Sequence, residues 1–139
     1  MHHEITLDLV LTGFQSDPSE ITTLLGVEPS QSWLQGDLVA RTMLKRHSNG
    51  WLLSSGRDRT SELESHLFAL FEKVAPIKER FRVLPPSTQV GVSCAVYVYH
   101  SASEDEEHNT PALHLNADQI RMLSTLGADF DIDLYVLQE

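Results

Sequence analysis

The chain has 139 residues, of which 41% are hydrophobic and 22% charged, and these proportions are typical of one globular domain. Folding a chain of this length buries about two-thirds of the surface of the unfolded chain, so neither a disulfide nor a structural metal is needed. Cys94 is the only cysteine, which excludes a disulfide framework and a cysteine-rich zinc site. No stretch approaches the ~18 apolar residues of a membrane span, and the N-terminus lacks a signal-peptide pattern, so we expect a cytoplasmic protein.

The net charge of −10 is concentrated in the C-terminal part of the chain. Residues 87–139 hold nine acidic side chains against Arg121 alone, and so carry −8 of that total. An acidic surface repels nucleic-acid phosphates, which argues against a role in binding DNA or RNA. The surplus favours either plain solubility or a protein partner with a basic surface.

The first predicted elements are a strand and a short helix. Apolar residues alternate with polar ones over residues 5–11, which indicates a half-buried strand. Asp17 is a good N-cap, Pro18 suits the first position of a helix, and Gly26 is a typical residue to end it.

The middle of the chain predicts two strands and the longest helix. Residues 32–41 and 49–55 have the composition of strands joined by a polar, basic loop. Apolar residues recur at helical spacing over residues 63–74, and Pro76 is expected to break that helix.

Three strands and one helix are predicted in the C-terminal part. Residues 89–100 are rich in valine and tyrosine and apolar on both faces, which is typical of a central strand. Residues 112–116 (ALHLN) read as a short strand, and residues 128–139 (ADFDIDLYVLQE) as the last strand. Between them Asn116 can cap a helix whose inner stripe would hold Ile120, Leu123 and Leu126.

The predicted order is therefore βαββαββαβ, in a single α+β domain over residues 1–139. We expect a mainly antiparallel sheet with about three helices packed mainly on one face, since the first and last strands carry polar residues at alternate positions.

At this point several motifs resemble the bacterial family known as domain of unknown function 4279. The resemblance is carried by the strand before DPSEITTLLGVEP, Gly36-Asp37, Trp51, the leucine-rich helix from Ser61 and the segment LSTLGADFDIDLY. It covers residues 5–137, and LGADFDIDLY is its most specific part. The resemblance implies a small bacterial domain without a settled activity, and it brings no catalytic residues to this chain.

Asp129, Asp131 and Asp133 suggest a metal site at first sight. Alternate residues of a strand lie about 6.6–6.8 Å apart, so the outer two aspartates would be about 13 Å apart. One Mg²⁺ or Ca²⁺ needs its oxygen ligands at about 2.0–2.6 Å. A calcium loop would also need glycine at its sixth position, where the chain has Leu134.

The same segment has a simpler interpretation as a strand with one wet face. Phe130, Ile132, Leu134 and Val136 supply the apolar half of the alternation. Because Tyr135 and Leu137 continue the aspartate face, we expect a loop of this chain or a partner to cover the end of the strand.

Motifs for metal binding or catalysis are not found. His100, His108 and His114 lack ligand spacing and are interpreted as a chance cluster. The sequence contains no nucleophile elbow, P-loop, zinc-protease or Cys-x-x-Cys motif. We therefore predict no metal, no cofactor and no catalytic residues, which favours a protein without enzymatic activity.

A basic region surrounds the two tryptophans. Its members are Trp33, Arg41, Lys45, Arg46, Trp51, Arg57 and Arg59. Such a region can form a protein interface or bind an anionic ligand. Alternatively, both tryptophans belong to the core and the arginines balance the acidic half.

These patterns lead to one primary hypothesis, a non-enzymatic protein-interaction domain of a bacterial cytoplasmic protein. A toxin-neutralising immunity protein is one concrete version of it. The candidate interaction residues are Trp33, Trp51, Arg57, Glu104, Asp105, Glu106 and Glu107. The alternative is a small anionic-ligand-binding or enzymatic domain that uses Trp51 and the nearby arginines. No nucleic acid or membrane partner is expected, and the oligomeric state is open, although an exposed edge strand could pair into a dimer.

Overall fold

The computed structural model describes residues 2–100 and 110–138. In chain order they form β1 (His2–Thr12), α1 (Pro18–Leu25), β2 (Gln31–Trp33), β3 (Gly50–Ser54), α2 (Leu63–Val74), a 3-10 helix (Ala75–Val83), β4 (Gln89–His100), α3 (Ala117–Leu126) and β5 (Asp129–Gln138). Within these residues, no helix is both long and apolar enough to cross a membrane.

The strands form one mixed sheet in the order β2-β3-β1-β4-β5. β1 is its central strand and pairs antiparallel with both β3 and β4, and β2 pairs antiparallel with β3. β5 is the exception, because it runs parallel to β4. The crossover between these two strands contains α3, as parallel neighbours require. The predicted α+β class and the mainly antiparallel sheet are confirmed.

The helices and one face of the sheet enclose the hydrophobic core, as predicted. Alternate side chains of the two central strands point into it and are at most 1% exposed: Ile5, Leu7, Leu9, Leu11, Val92, Cys94 and Val96. They pack in one cluster with buried residues of α1, α2 and α3. Fully burying one such side chain contributes about 1.5–3 kcal/mol, so this shared face dominates the stability of the fold. None of the described helices packs on the other face of the sheet, and we call it the open face.

Three helix-end signals are found where the sequence placed them. The Asp17 carboxylate accepts a hydrogen bond from the N–H of Ser19 at 2.9 Å, and Gly26 ends α1 with φ of 73°. Asn116 and Gln119 form a reciprocal capping box at the start of α3.

Three details of the sequence prediction are wrong. Residues 112–116 are not a strand, because they do not pair with any described strand. The predicted strand over 32–41 is reduced to Gln31–Trp33, and the chain then turns away into a loop whose Leu38 and Lys45 form an isolated bridge. Ile120 is 56% exposed, since the capping box places Gln119 on the buried side of α3 instead.

Cys94 and the pair of Ser55 and His66 are chemically reactive residue types inside the core. Burial raises the pKa of the Cys94 thiol to about 11, which keeps it protonated and unreactive. Ser55 Oγ lies 2.7 Å from His66 Nδ1 and also accepts a hydrogen bond from the N–H of Arg57 at 3.3 Å.

Ser55 and His66 resemble a nucleophile and its base, but they lie where β3 ends against α2. Their exposed fractions are only 3% and 1%, so a substrate would have to enter the core to reach the hydroxyl. Burial lowers the pKa of His66, and the charge of Arg57 acts in the same direction. A neutral histidine that connects a strand end to a helix is a structural element rather than a catalytic base.

The lowered pKa of His66 makes part of the stability dependent on pH. The unfolded chain takes up this proton first, so the stabilisation is complete above the ordinary histidine pKa of 6.5 and is lost as the pH falls below it. We expect His66→Gln to cost about 1–3 kcal/mol at neutral pH. The difference in free energy of unfolding between the variant and the wild type should then shrink in acid, as measured by urea unfolding at several pH values.

His114→Gln, which alters an exposed histidine, is the control and should follow the wild type. Parallel curves for His66→Gln and the wild type would contradict this role of His66.

Candidate interaction surface

The last strand, β5, lies at one edge of the sheet. Its inner edge pairs with β4 over ten consecutive residues, from Asp129 opposite Gly91 to Gln138 opposite His100. Among residues 2–100 and 110–138, no strand pairs with its outer edge. The backbone N–H and C=O groups along that side are therefore available to a further strand. We refer to Asp129–Gln138, with its unpaired outer side, as the β5 edge.

On the core side of the sheet, the helices cover β4 but do not extend over β5. Val92, Cys94 and Val96 of β4 are 0% exposed. Their neighbours on β5 are far more accessible, since Ile132, Leu134 and Val136 are 41%, 58% and 66% exposed. The reason is the position of α3, which packs against the 3-10 helix and α2.

This exposure corrects the sequence interpretation of the last strand. The alternation predicted correctly which residues share a face, but of the expected apolar half only Phe130 is partly buried. The surface role of Ile132, Leu134 and Val136 was therefore missed. The uninterrupted apolar run Leu134–Leu137 was the signal that could have found it, because an edge strand with one wet face should continue its alternation.

On the open face, the first half of β5 is acidic. Asp129, Asp131 and Asp133 are all exposed, which confirms the wet-face interpretation. Their neighbours on β4 are small residues without charge, so no cation on that strand neutralises them. The described residues contain no group of three or more His, Cys, Asp or Glu placed to hold a metal ion.

A row of polar residues runs across the open face from Asp131 towards β1. Asp131 lies opposite Ser93, and Ser93 lies opposite Asp8 on β1. Burial raises the pKa of Asp8, and a hydrogen bond with Ser54 only partly offsets that effect. Asp8 is thus half-buried, whereas the three aspartates of β5 are exposed.

The second half of the open face of β5 is aromatic. The rings of Tyr135 and Tyr97 stack with centroids 5.1 Å apart, and the Arg59 guanidinium lies 5.1 Å from the Tyr97 ring. Arg59 is in turn held by Glu4, with Nε and Oε2 2.6 Å apart. Tyr135 nevertheless stays 45% exposed and Leu137 39%, so the described residues cover the end of the strand only in part.

Trp51, one of the predicted interaction residues, belongs to the core. It is 0% exposed, and its Nε1 donates a hydrogen bond to Thr22 Oγ1 at 3.0 Å. Its position on β3 opposite Leu11 gives it the same parity as the buried side chains of β1. A buried indole cannot stack on a ligand or touch a partner, which corrects its predicted role.

Trp33 has a different environment, because it lies on the open face. It pairs with Gly50, and the indole rests directly on that glycine. The Arg46 guanidinium lies 3.9 Å from the indole centroid, a cation–π contact. Lys45 and His47 join these two residues around a cleft of about 470 Å³, which we call the Trp33 cleft.

Of the remaining predicted site residues, the structure describes only Arg57. Arg57 is exposed, but it follows the buried Ser55 at the end of β3 and does not line the Trp33 cleft. Glu104, Asp105, Glu106 and Glu107 lie outside the residues that the structure describes.

The fold and these two surfaces define a small α+β domain with an open sheet face and an accessible edge strand. The chain belongs to the family described as Domain of unknown function (DUF4279), which matches residues 3–137 and so nearly the whole chain. No curated protein and no solved structure matches it.

The contact between Trp33 and Gly50 predicts the effect of adding one methyl group. A Cβ at Gly50 would lie 2.0–2.4 Å from three atoms of the indole, so Gly50→Ala must displace Trp33. We expect quenching of tryptophan fluorescence by acrylamide to increase, with a stability loss of about 1–3 kcal/mol from overpacking. Gly91→Ala is the matched control, because a Cβ there meets nothing within 4 Å. Equal quenching in the two variants would show that the indole does not rest on Gly50.

Proposed function

We propose that this chain is a non-enzymatic protein-interaction domain and that the β5 edge is its binding surface. The observation that carries the proposal is the exposure of consecutive apolar residues on both faces of a strand whose outer edge pairs with no described strand. Leu134, Tyr135, Val136 and Leu137 are each at least 39% exposed. Soluble proteins usually protect such a strand by shortening, charging or covering it, because it otherwise recruits other chains.

The composition of the surface also fits a protein partner. Interface hot spots are enriched in tyrosine and arginine, and the stacked Tyr97 and Tyr135 with Arg59 above them provide such a cluster next to the strand. The nearby aspartates favour a partner with a basic surface and disfavour nucleic acid. The Ser55–His66 pair is buried, so it does not support an enzymatic function.

A toxin-neutralising immunity protein is the concrete version of this proposal. An inhibitor of that kind needs only a binding surface, and an acidic one suits toxins that act on nucleic acids, because those toxins are basic. The support is one of chemical class, namely small size, acidity and an accessible acidic and apolar edge.

The Trp33 cleft supports a second candidate function, the binding of a small anionic ligand. The stacked Trp33 and Arg46 with Lys45 and His47 around the cleft provide an aromatic platform and positive charge. This candidate uses the predicted basic region, but the aromatic ring that contacts the ligand is Trp33 instead of Trp51.

Substituting a single valine tests the primary proposal. Val136→Lys should weaken binding of a protein partner about tenfold or more, because it places a charge in an apolar contact. Val83→Lys is the matched control, since Val83 is 65% exposed and Val136 66%. The measurement is a pull-down at low salt from the cells that encode the protein, followed by titration of the purified partner. A partner retained equally by both variants would place the binding surface elsewhere.

The immunity version adds one requirement to that experiment. The retained partner should be basic and should stop growth when expressed alone, and coexpression of this chain should restore growth. Val136→Lys should fail to restore it, whereas Val83→Lys should succeed. A partner that does not affect growth would contradict the immunity version and leave the interaction proposal intact.

The second candidate is tested by thermal unfolding with nucleotides, phosphosugars and inorganic phosphate. A ligand at about 100 times its Kd should add about 2.7 kcal/mol, which raises the Tm by several degrees. Arg46→Ala should abolish the shift, and the exposed Arg82→Ala on the 3-10 helix is the control. The absence of a shift over the whole panel would contradict this candidate.

A further inference from the structure

The β5 edge lacks the features that usually prevent strand addition. It is ten residues long and contains no lysine, proline or glycine. Its only charges, Asp129, Asp131 and Asp133, all lie on the open face and in the first half of the strand. The second half has no charged residue up to Gln138.

These aspartates act against pairing with a second copy of the same strand. In a symmetric antiparallel pair that keeps the open faces together, a residue on the axis lies opposite itself. An axis at Ile132 places Asp131 opposite Asp133 of the other copy, with Cβ atoms about 4.5–5.5 Å apart. An axis at Leu134 removes that contact but keeps the two Asp133 side chains diagonal neighbours, about 7–8 Å apart. Like charges thus oppose registers with the axis at Ile132, Asp133 or Leu134, and an axis at Tyr135 avoids them but pairs only residues 132–138.

The same arrangement suits a strand of complementary charge. Alternate residues on any strand share a face and are spaced by about 6.6–6.8 Å, as the three aspartates are. Basic side chains at every second position would therefore each meet one carboxylate. The residues between them would fall on the other face, beside Ile132, Leu134 and Val136.

Resting on the proposed function, we propose that β5 binds its partner by strand addition. An extended segment of the partner pairs with the outer edge of β5 in antiparallel orientation and becomes the sixth strand of the sheet. Lysine or arginine at alternate positions lies opposite Asp129, Asp131 and Asp133. Apolar residues of the segment cover Ile132, Leu134 and Val136, and its first residues lie against Tyr135 and Leu137.

Backbone hydrogen bonds supply affinity in this mode, and the alternating side chains supply specificity. The lysines also determine the register, because a slip of one residue would move each of them to the apolar face. The recognised partner feature is thus a segment with alternating basic and apolar residues, rather than a basic patch of any shape.

A synthetic peptide with this pattern tests the proposal. The peptide TVTVKVKVK, titrated into the full chain, should bind and should slow hydrogen exchange of β5 amides. Asp131→Asn combined with Asp133→Asn should weaken the binding about two- to tenfold, as removal of two cross-strand charge pairs requires. Val136→Lys should also weaken it, and Val83→Lys should leave it unchanged.

Two control peptides separate strand addition from electrostatic adhesion. TVTVEVEVE should not bind, because its charges repel the aspartates. TVPPKVKVK keeps every lysine but lacks two consecutive N–H groups, and one of the two must face β5 because successive N–H groups of a strand point to opposite edges, so it should bind much more weakly. Equal binding of the proline peptide, or binding without protection of β5 amides, would overturn the proposal.

The result is distinguishable from failure of the proposed function. A protein partner that Val136→Lys releases, together with a peptide that does not bind, would contradict strand addition while supporting the β5 edge as a protein-binding surface. A concentration-dependent dimer that Val136→Lys dissociates, seen by sedimentation, would show that the occupant is a second copy and would overturn the basic partner. If Val136→Lys affects neither partner nor peptide, both proposals are wrong.

Discussion

The buried face shared by β1 and β4 is the constraint on which the rest of this structure depends. Leu7 and Cys94 are paired across the two strands, as are Ile5 with Val96 and Leu9 with Val92, and all of them are excluded from solvent. Because side chains alternate along a strand, a slip by one residue would expose every one of them. This register fixes the open face as well. It places Asp8 beside Ser93 and Thr12 beside Gln89, and the adjoining strands inherit the same parity.

Two tryptophans with the same basic sequence surroundings show how this parity determines the environment of a side chain. Trp51 is opposite Leu11 and so points into the core, whereas Gly50, one residue earlier, lies on the open face. Trp33 pairs with Gly50 and uses the space that its missing side chain leaves. A shift of β3 by one residue against β1 would place Trp51 on the open face and Trp33 on the core side. Composition identifies the basic region around the two tryptophans. Only the pairing of β2 with β3 and of β3 with β1 shows that Trp51 is buried and that Trp33 lies on the open face.

The features that the sequence predicted are those determined within about ten residues. Alternation over residues 5–11 predicted β1, and the reciprocal bonds of Asn116 with Gln119 were visible as a spacing of three. The errors concern relations between distant segments. Residues 112–116 alternate as a strand does, but strand formation also needs a partner strand, and these residues pair with none of the described strands. Likewise, alternation places Ile132, Leu134 and Val136 on one face without showing whether any helix covers it.

The two edges of the sheet are treated differently, and this contrast gives the β5 edge its significance. At the opposite side β2 has three residues, after which the chain leaves the sheet in a loop bridged at Leu38 and Lys45. A short edge strand offers few backbone groups to another chain. β5 presents ten residues, and its aspartates limit self-association through repulsion while the apolar side chains between them stay accessible. A row of carboxylates is selective, because it repels acidic strands and attracts basic ones. An edge that only had to remain soluble would need no apolar run at Leu134–Leu137.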